Sequence, residues 1–415
     1  MSGLSIFQRN VRERLSWLAD ILVVVVAASL PWSTSATAIL AVLWVLVLVP
    51  TLDLGDLKRQ VGTAAGGLPA LLVALGVAGM LWAGVSFTER WNGIDSFVKL
   101  LAVPLLLVQF HRSDRARCVF MAYLGSCTLL LVSSTVIELF HPFSLALRPF
   151  PNEVLVKNAA TQSGEFVTCI FGLLYLAYDA MDRRRWAWLL AFVFVICGML
   201  ANMLFVATGR TALVVGAVLL AIFAVKKRDG RTIAILACAV VLAAAGWLSS
   251  SYLQSRVVDF FKDLQLYQAA ETVTSSGERL VFWTKSIDFI REAPLVGHGT
   301  GSIRSQFEKS AFGQTGAAAE AAANPHNQTL AVGIQLGFVG MAILWAMWIS
   351  HLMLFRGNSL IAWIGLVIVV QNVVGSLFNS HLFDFLQGWT YVVGVGVAGG
   401  TVRKVIAAKS GDSNR

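Results

Sequence analysis

Asn324-Pro325-His326-Asn327-Gln328-Thr329-Leu330 closes a long polar segment and opens an apolar run that continues to about Leu354. Asn324 reads as a helix N-cap and Pro325 as the first helical residue, because proline there gives up only an N–H that has no intrahelical partner. That spacing puts His326 in the first turn of a helix long enough to cross a bilayer. The positive end of the helix dipole disfavours an imidazolium at such a place. The expectation is a neutral ring able to accept a proton, beside N–H groups that would welcome a phosphate.

The rest of the chain supports a membrane setting for this stretch. Of 415 residues, 57% are hydrophobic and only 13% charged, too few to coat a water-soluble domain. Apolar runs of span length recur along nearly the whole chain, without the ten-residue alternation of a β-barrel. The first run, Leu15 to Leu30, lacks a small-residue cleavage site and is expected to stay as the first helix. The five cysteines, Cys118, Cys127, Cys169, Cys197 and Cys238, fall within or beside apolar runs and have neither disulfide nor zinc spacing. A net charge of +9 could suggest nucleic acid, but in a membrane protein the placement of Lys and Arg is what informs.

Read in order, twelve spans are expected, with long polar excursions at His141 to Gly164 and Ser251 to Pro325. The third span is placed at Leu68 to Phe87 and the fourth at Ile94 to Phe110; Thr208-Gly209-Arg210 is a tight turn into the eighth, and the ninth ends near Ser250. Every second connection is short and basic, and these hold about 20 of the 32 Lys and Arg, as cytoplasmic loops should. Both termini are then cytoplasmic. The organisation is nine helices over 1–250, an outer loop with amphipathic helices over 251–325, three helices over 326–402 and a tail over 403–415.

Basic residues are scarce on the outer side, which makes those present informative. Arg210 sits in a turn with no room to leave the membrane surface, so it either binds an anion, pairs with an acidic side chain or snorkels to headgroups. Ser275 and Glu278 have capping-box spacing and open an amphipathic helix to about Arg291, with Leu280, Trp283, Ile287 and Ile290 on one face. Such a helix would lie on the bundle as a lid. Arg279 falls in its first turn, where the dipole disfavours a cation, so a bound phosphate or a nearby carboxylate is needed to explain it. Arg291, in the last turn, is where the dipole alone would place a cation. Gly297-His298-Gly299-Thr300-Gly301-Ser302 could offer N–H groups to a phosphate but lacks nucleotide-binding spacing. His298 and His381 read as loop histidines, with no acidic or His neighbour at metal-ligand spacing. Gly333, Gly337 and Gly340 share a face for close helix packing.

Three segments together resemble the O-antigen ligase and polymerase superfamily. Thr208-Gly209-Arg210-Thr211 resembles its (S/T)-x-R helix entry. Gly277-Glu278-Arg279-Leu280-Val281-Phe282-Trp283 followed by Ala293-Pro294-Leu295-Val296-Gly297-His298-Gly299 is similar to its outer-loop signature, and Pro325-His326-Asn327-Gln328-Thr329-Leu330 to its H-N-x-x-L helix start. The resemblance implies an all-α polytopic glycosyltransferase of the GT-C type in a bacterial inner membrane, with its active site facing the periplasm. It would move O-antigen from undecaprenyl diphosphate to a sugar hydroxyl of lipid A-core, completing lipopolysaccharide, with inversion and without metal or other cofactor. His326 matches the family's essential histidine, Arg210 its helix-entry arginine and Arg279 its loop arginine, with Arg291 a further candidate for the diphosphate. An O-antigen polymerase, a protein O-oligosaccharyltransferase and a lipid-linked oligosaccharide flippase are the alternatives; the last should place its charges mid-membrane in related halves.

Overall fold

The computed structural model describes residues 2–139, 156, 158–207, 209–233, 235–237, 241, 248, 275–314, 319 and 322–412. The expected ninth span, most of the 141–164 excursion, Thr208 and residues 251–274 of the long loop lie wholly or largely outside these. Among the described residues the chain is helical, with no strand. The helices are α1 (Ser2–Ser29), α2 (Thr34–Leu48), α3 (Leu54–Val61), α4 (Ala64–Gly79), α5 (Phe87–Val98), α6 (Ala102–Arg112), α7 (Ala116–Leu139), α8 (Ala159–Asp182), α9 (Trp186–Phe205) and α10 (Arg210–Lys227). After the outer segment come α11 (Ser275–Glu292), α12 (Ile303–Ala311), α13 (Gln328–Leu354), α14 (Leu360–Gly375) and α15 (Phe385–Asp412).

Seven helical stretches among the described residues are long and apolar enough to cross a membrane, or up to eight if α3 and α4, bent by 86°, form one span. The twelve expected from the sequence also include α14, whose 16 residues reach only about 24 Å at a rise of about 1.5 Å each, short of a core of about 30 Å. They include α10 as well, which begins with Arg210 and ends with Lys226 and Lys227.

Local chemistry sets several boundaries. Ser86 and Glu89 form a reciprocal capping box, which starts α5 at Phe87 and corrects the expectation that Phe87 ends a span. A single 3-10 turn, Lys99–Leu101, then joins α5 to α6, so the fourth span runs from Phe87 to Arg112 rather than from Ile94 to Phe110.

The basic connections gather at one end of the bundle. Lys226 Nζ donates to the carbonyls of Arg356 at 3.1 Å and Gly357 at 2.9 Å, Arg231 pairs with Asp182, and Lys404 pairs with Asp114 at 2.7 Å. Because these contacts involve the end of α10, the link from α13 to α14 and the later part of α15, the first residue of α10, the start of α13, the C-terminus of α14 and the start of α15 lie at the other end.

Inside α13, Gly337 breaks the helix with φ 60° and ψ −160°. The break frees carbonyls that the glycine-rich turn after α11 occupies: His298 N–H donates to Ile334 O and Gly299 N–H to Gln335 O, both at 2.9 Å. In return Phe338 N–H donates to Pro294 O at 2.7 Å, and Gly301 N–H to the Gln335 side chain at 2.7 Å. A buried break in a membrane helix needs such partners, since no water is there to satisfy the freed groups. The turn is therefore a splice that holds α11 to α13. Its N–H groups at residues 298, 299 and 301 are spent on protein acceptors, which corrects the expectation that they could face a phosphate.

Candidate functional site

Arg210 owes its place to the small residue before it. A Cβ on Gly209 would lie 2.9 Å from the Ser163 side chain and 3.3 Å from Ala160, so only glycine lets the turn into α10 rest on the start of α8. Asn158 caps that start by accepting the Thr161 N–H at 2.9 Å, and Ser163 Oγ bonds the carbonyl of Ala207 just before the turn. Arg210 then emerges exposed as the first residue of α10. Among the described residues no carboxylate pairs with it.

Of the face expected for α11, Ile290 is buried but Ile287 is not. Phe282, Ser286, Phe289 and Ile290 point inward, whereas Ile287 is 43% exposed. Serine is tolerated inside because its hydroxyl donates to Phe282 O at 2.6 Å within the helix. Ile290 fits because Gly333 of α13 has no side chain, where a Cβ would come within 2.6 Å of Ile290 Cδ1. The inward residues join Ile303 and Phe307 of α12 and Ala331 and Ile334 of α13 in a small apolar core. Phe307 sits edge-on to Phe282 at 5.5 Å and to Phe289 at 5.2 Å. Burial worth about 1.5–3 kcal/mol for each large side chain fixes the helix to the bundle.

That docking sets Arg279 within electrostatic reach of Arg210. Desolvation first, and the Arg210 guanidinium second, lower the pKa of Arg279, with Glu278 opposing them. A guanidinium near enough to lower the pKa of a second makes a place where an anion is favoured.

Phe282, three residues after Arg279 and so one turn along α11, stacks on the His326 ring, with centroids 6.4 Å apart and planes at 25°. Its position differs from the sequence reading. The N-cap of α13 is Asn327, whose side chain accepts the Leu330 N–H at 3.2 Å, and His326 stands just outside the helix in the left-handed region, φ 53°. Asn324 does not cap α13 because its amide oxygen already accepts the His326 N–H at 2.9 Å and the Ser380 hydroxyl at 2.7 Å. The Gln328 N–H donates to Ser376 O at 2.9 Å. With that group and the Leu330 N–H both engaged, the helix end has less to offer an anion than the two arginines do. The His326 ring reaches Asn379 through Nδ1, 3.1 Å from Oδ1.

Sequence reasoning missed Asn379 and Phe282 as neighbours of the histidine. The available signal was the polar run Asn379-Ser380-His381 directly after an apolar helix. His381 itself is half-buried, and desolvation pushes its pKa down to about 4, with Asp384 opposing. His298 Nε2 is bonded to Phe289 O at 2.8 Å. Arg291 does not join the group: it lies a dozen residues beyond Arg279, roughly 18 Å along α11 at a rise of about 1.5 Å per residue, and pairs with Asp288 at 2.9 Å. A small apolar cleft lined by Ala116, Tyr123, Ile361, Ile368 and Ala398 among others lies between other helices and includes none of these residues. Among the described residues no three His, Cys, Asp or Glu are grouped to hold a metal.

Residues 192–345 match the family model described as O-antigen ligase. The matched segment runs from α9 into α13 and includes Arg210, Arg279 and His326 but not Asn379. No curated protein matches the chain.

Proposed function

We propose, from the premise that this chain is an O-antigen ligase-type family member by its segment 192–345, that it transfers O-antigen from undecaprenyl diphosphate to a sugar hydroxyl of lipid A-core. The observations that carry the reading are that Arg210 acts electrostatically on Arg279 and that Phe282, one turn beyond Arg279, stacks on His326, at the end of the bundle opposite the basic connections. By the positive-inside rule that end faces the periplasm of the inner membrane. GT-C describes the expected class.

The chemistry asked of the site is small. The donor is an activated glycosyl diphosphate, so the protein has to hold the diphosphate, accept one proton and align the reactants. His326 takes the hydroxyl proton as the hydroxyl oxygen bonds to the anomeric carbon, and the bond from that carbon to the diphosphate oxygen breaks with its electron pair. Undecaprenyl diphosphate leaves. Arg210 and Arg279 meet the charge that grows on it, and a guanidinium suits this because its planar fork pairs two phosphate oxygens at once. A single displacement inverts an α-linked donor to a β-linked product. Arg291, distant and paired, has no part in this site.

The same geometry serves an O-antigen polymerase, whose acceptor is also lipid-linked, and a protein O-oligosaccharyltransferase. A flippase is disfavoured by the gathering of the polar groups at one end instead of at mid-depth. The test is transfer of glycan from a synthetic undecaprenyl diphosphate donor to rough lipopolysaccharide by the purified protein, with EDTA and without nucleotide. His326→Ala and Arg210→Ala should insert and fold yet lose activity by about 100-fold or more. Near-normal transfer by either variant removes the role given to that residue, and transfer only to a lipid-linked acceptor points to polymerase.

A further inference from the structure

The protons around His326 can be assigned one after another. The His326 backbone N–H can only donate, so the Asn324 atom 2.9 Å away is the amide oxygen. The other corner of Asn324 is then its NH2, which donates to Asn379 at 3.2 Å, and the facing Asn379 atom is its oxygen. An amide oxygen has no proton to give, and His326 Nδ1 lies 3.1 Å from it. Nδ1 therefore carries the ring proton. In the neutral imidazole the lone pair then falls on Nε2. Starting from a backbone donor settles both amide orientations and the tautomer together.

We propose that Asn379, oriented by Asn324, is the positioning residue of the candidate base: its side-chain oxygen holds His326 in the Nδ1–H tautomer, so that Nε2 receives the acceptor hydroxyl's proton. This rests on the reading of His326 as base. The two asparagines also help hold His326 in a left-handed backbone conformation, φ 53°, which costs a side-chain-bearing residue about 1–2 kcal/mol when nothing supports it. Asn379 is fixed in turn, since its N–H donates to Gly375 O at 3.1 Å at the end of α14 and the adjacent Ser380 hydroxyl bonds Asn324 at 2.7 Å. As the proton arrives at Nε2, the Nδ1–H···O bond persists and its acceptor supports the imidazolium that forms. A carboxamide does this without adding a negative charge beside the departing diphosphate.

The test is steady-state kinetics of the purified full chain with synthetic undecaprenyl diphosphate donor and rough lipopolysaccharide, comparing Asn379→Leu, Asn379→Asp and His326→Ala. Asn379→Leu removes the acceptor oxygen and should lower kcat about 100-fold, as losing a tautomer-setting partner does elsewhere, while donor KM changes by no more than about threefold. Asn379→Asp keeps an oxygen in place and should stay within about tenfold of the wild type. Because it is nearly isosteric, its result decides the matter even where the leucine variant fails to fold. An inactive aspartate variant, or a leucine variant with wild-type kcat beside an inactive His326→Ala, overturns this inference and leaves the base reading standing. Near-normal transfer by His326→Ala overturns both.

Discussion

Arg210 and Arg279 carry an energetic preference that belongs to single residues. Burial and the neighbouring guanidinium lower the Arg279 pKa, so its charged form is destabilised while the site is empty. An anion between the two reverses that sign and favours the folded state in which they meet. Thermal unfolding in detergent should therefore move upward when a polyprenyl diphosphate is added, by an amount equivalent to about 2.7 kcal/mol at a hundredfold excess over Kd. In Arg279→Ala the shift should shrink or vanish, and Arg279→Lys should keep only part of it, since an ammonium cannot pair two oxygens in a plane. An unchanged shift in Arg279→Ala would mean that the anion sits elsewhere.

At the level of elements, the site depends on α11 seating on α13, and two glycines make that possible. Gly333 admits Ile290, and Gly337 breaks α13 so that the glycine-rich turn can bond to it, with the Leu295 carbonyl carbon 2.4 Å from where a Cβ would be. Gly333→Leu should cost about 1–3 kcal/mol by overpacking and should reduce transfer more than stability, because α11 holds Arg279 and Phe282. Gly337→Ala should destabilise more, since a side chain would meet both a positive φ and a backbone clash. Gly125→Ala, with nothing within 4 Å of the added carbon, serves as the neutral control. Melting temperature and transfer rate measured on the three variants check the order.

For the whole molecule, sidedness decides whether the two lipid-borne sugars of the proposed reaction can reach the proposed site. Gln314, beyond α12, and Arg185, between α8 and α9, are both exposed and should lie on opposite sides of the membrane. With the five native cysteines replaced, Gln314→Cys should react with a membrane-impermeant maleimide in cells whose outer membrane alone is opened. Arg185→Cys should react only after the inner membrane is breached. The reverse pattern would put the arginines and His326 on the cytoplasmic side and end the assignment to lipopolysaccharide assembly.

Composition alone made this a helical membrane chain, because burying so many apolar side chains with so few charges has no other outlet than a bilayer. Local order likewise marked Arg210 as the start of a helix, Arg279 as a cation in a first turn and His326 as lying at the mouth of a span. Such features depend on neighbours a few residues away, and hydropathy and capping are sums over those neighbours. The sequence could not say that Asn327 instead of Asn324 would cap α13, that Ser286 would face inward, that the glycine-rich turn would spend its N–H groups on a broken helix, or that Asn379 would hold the histidine. Each of these is a competition for one donor or one cavity between segments far apart in the chain, and it is decided only when packing brings the competitors together.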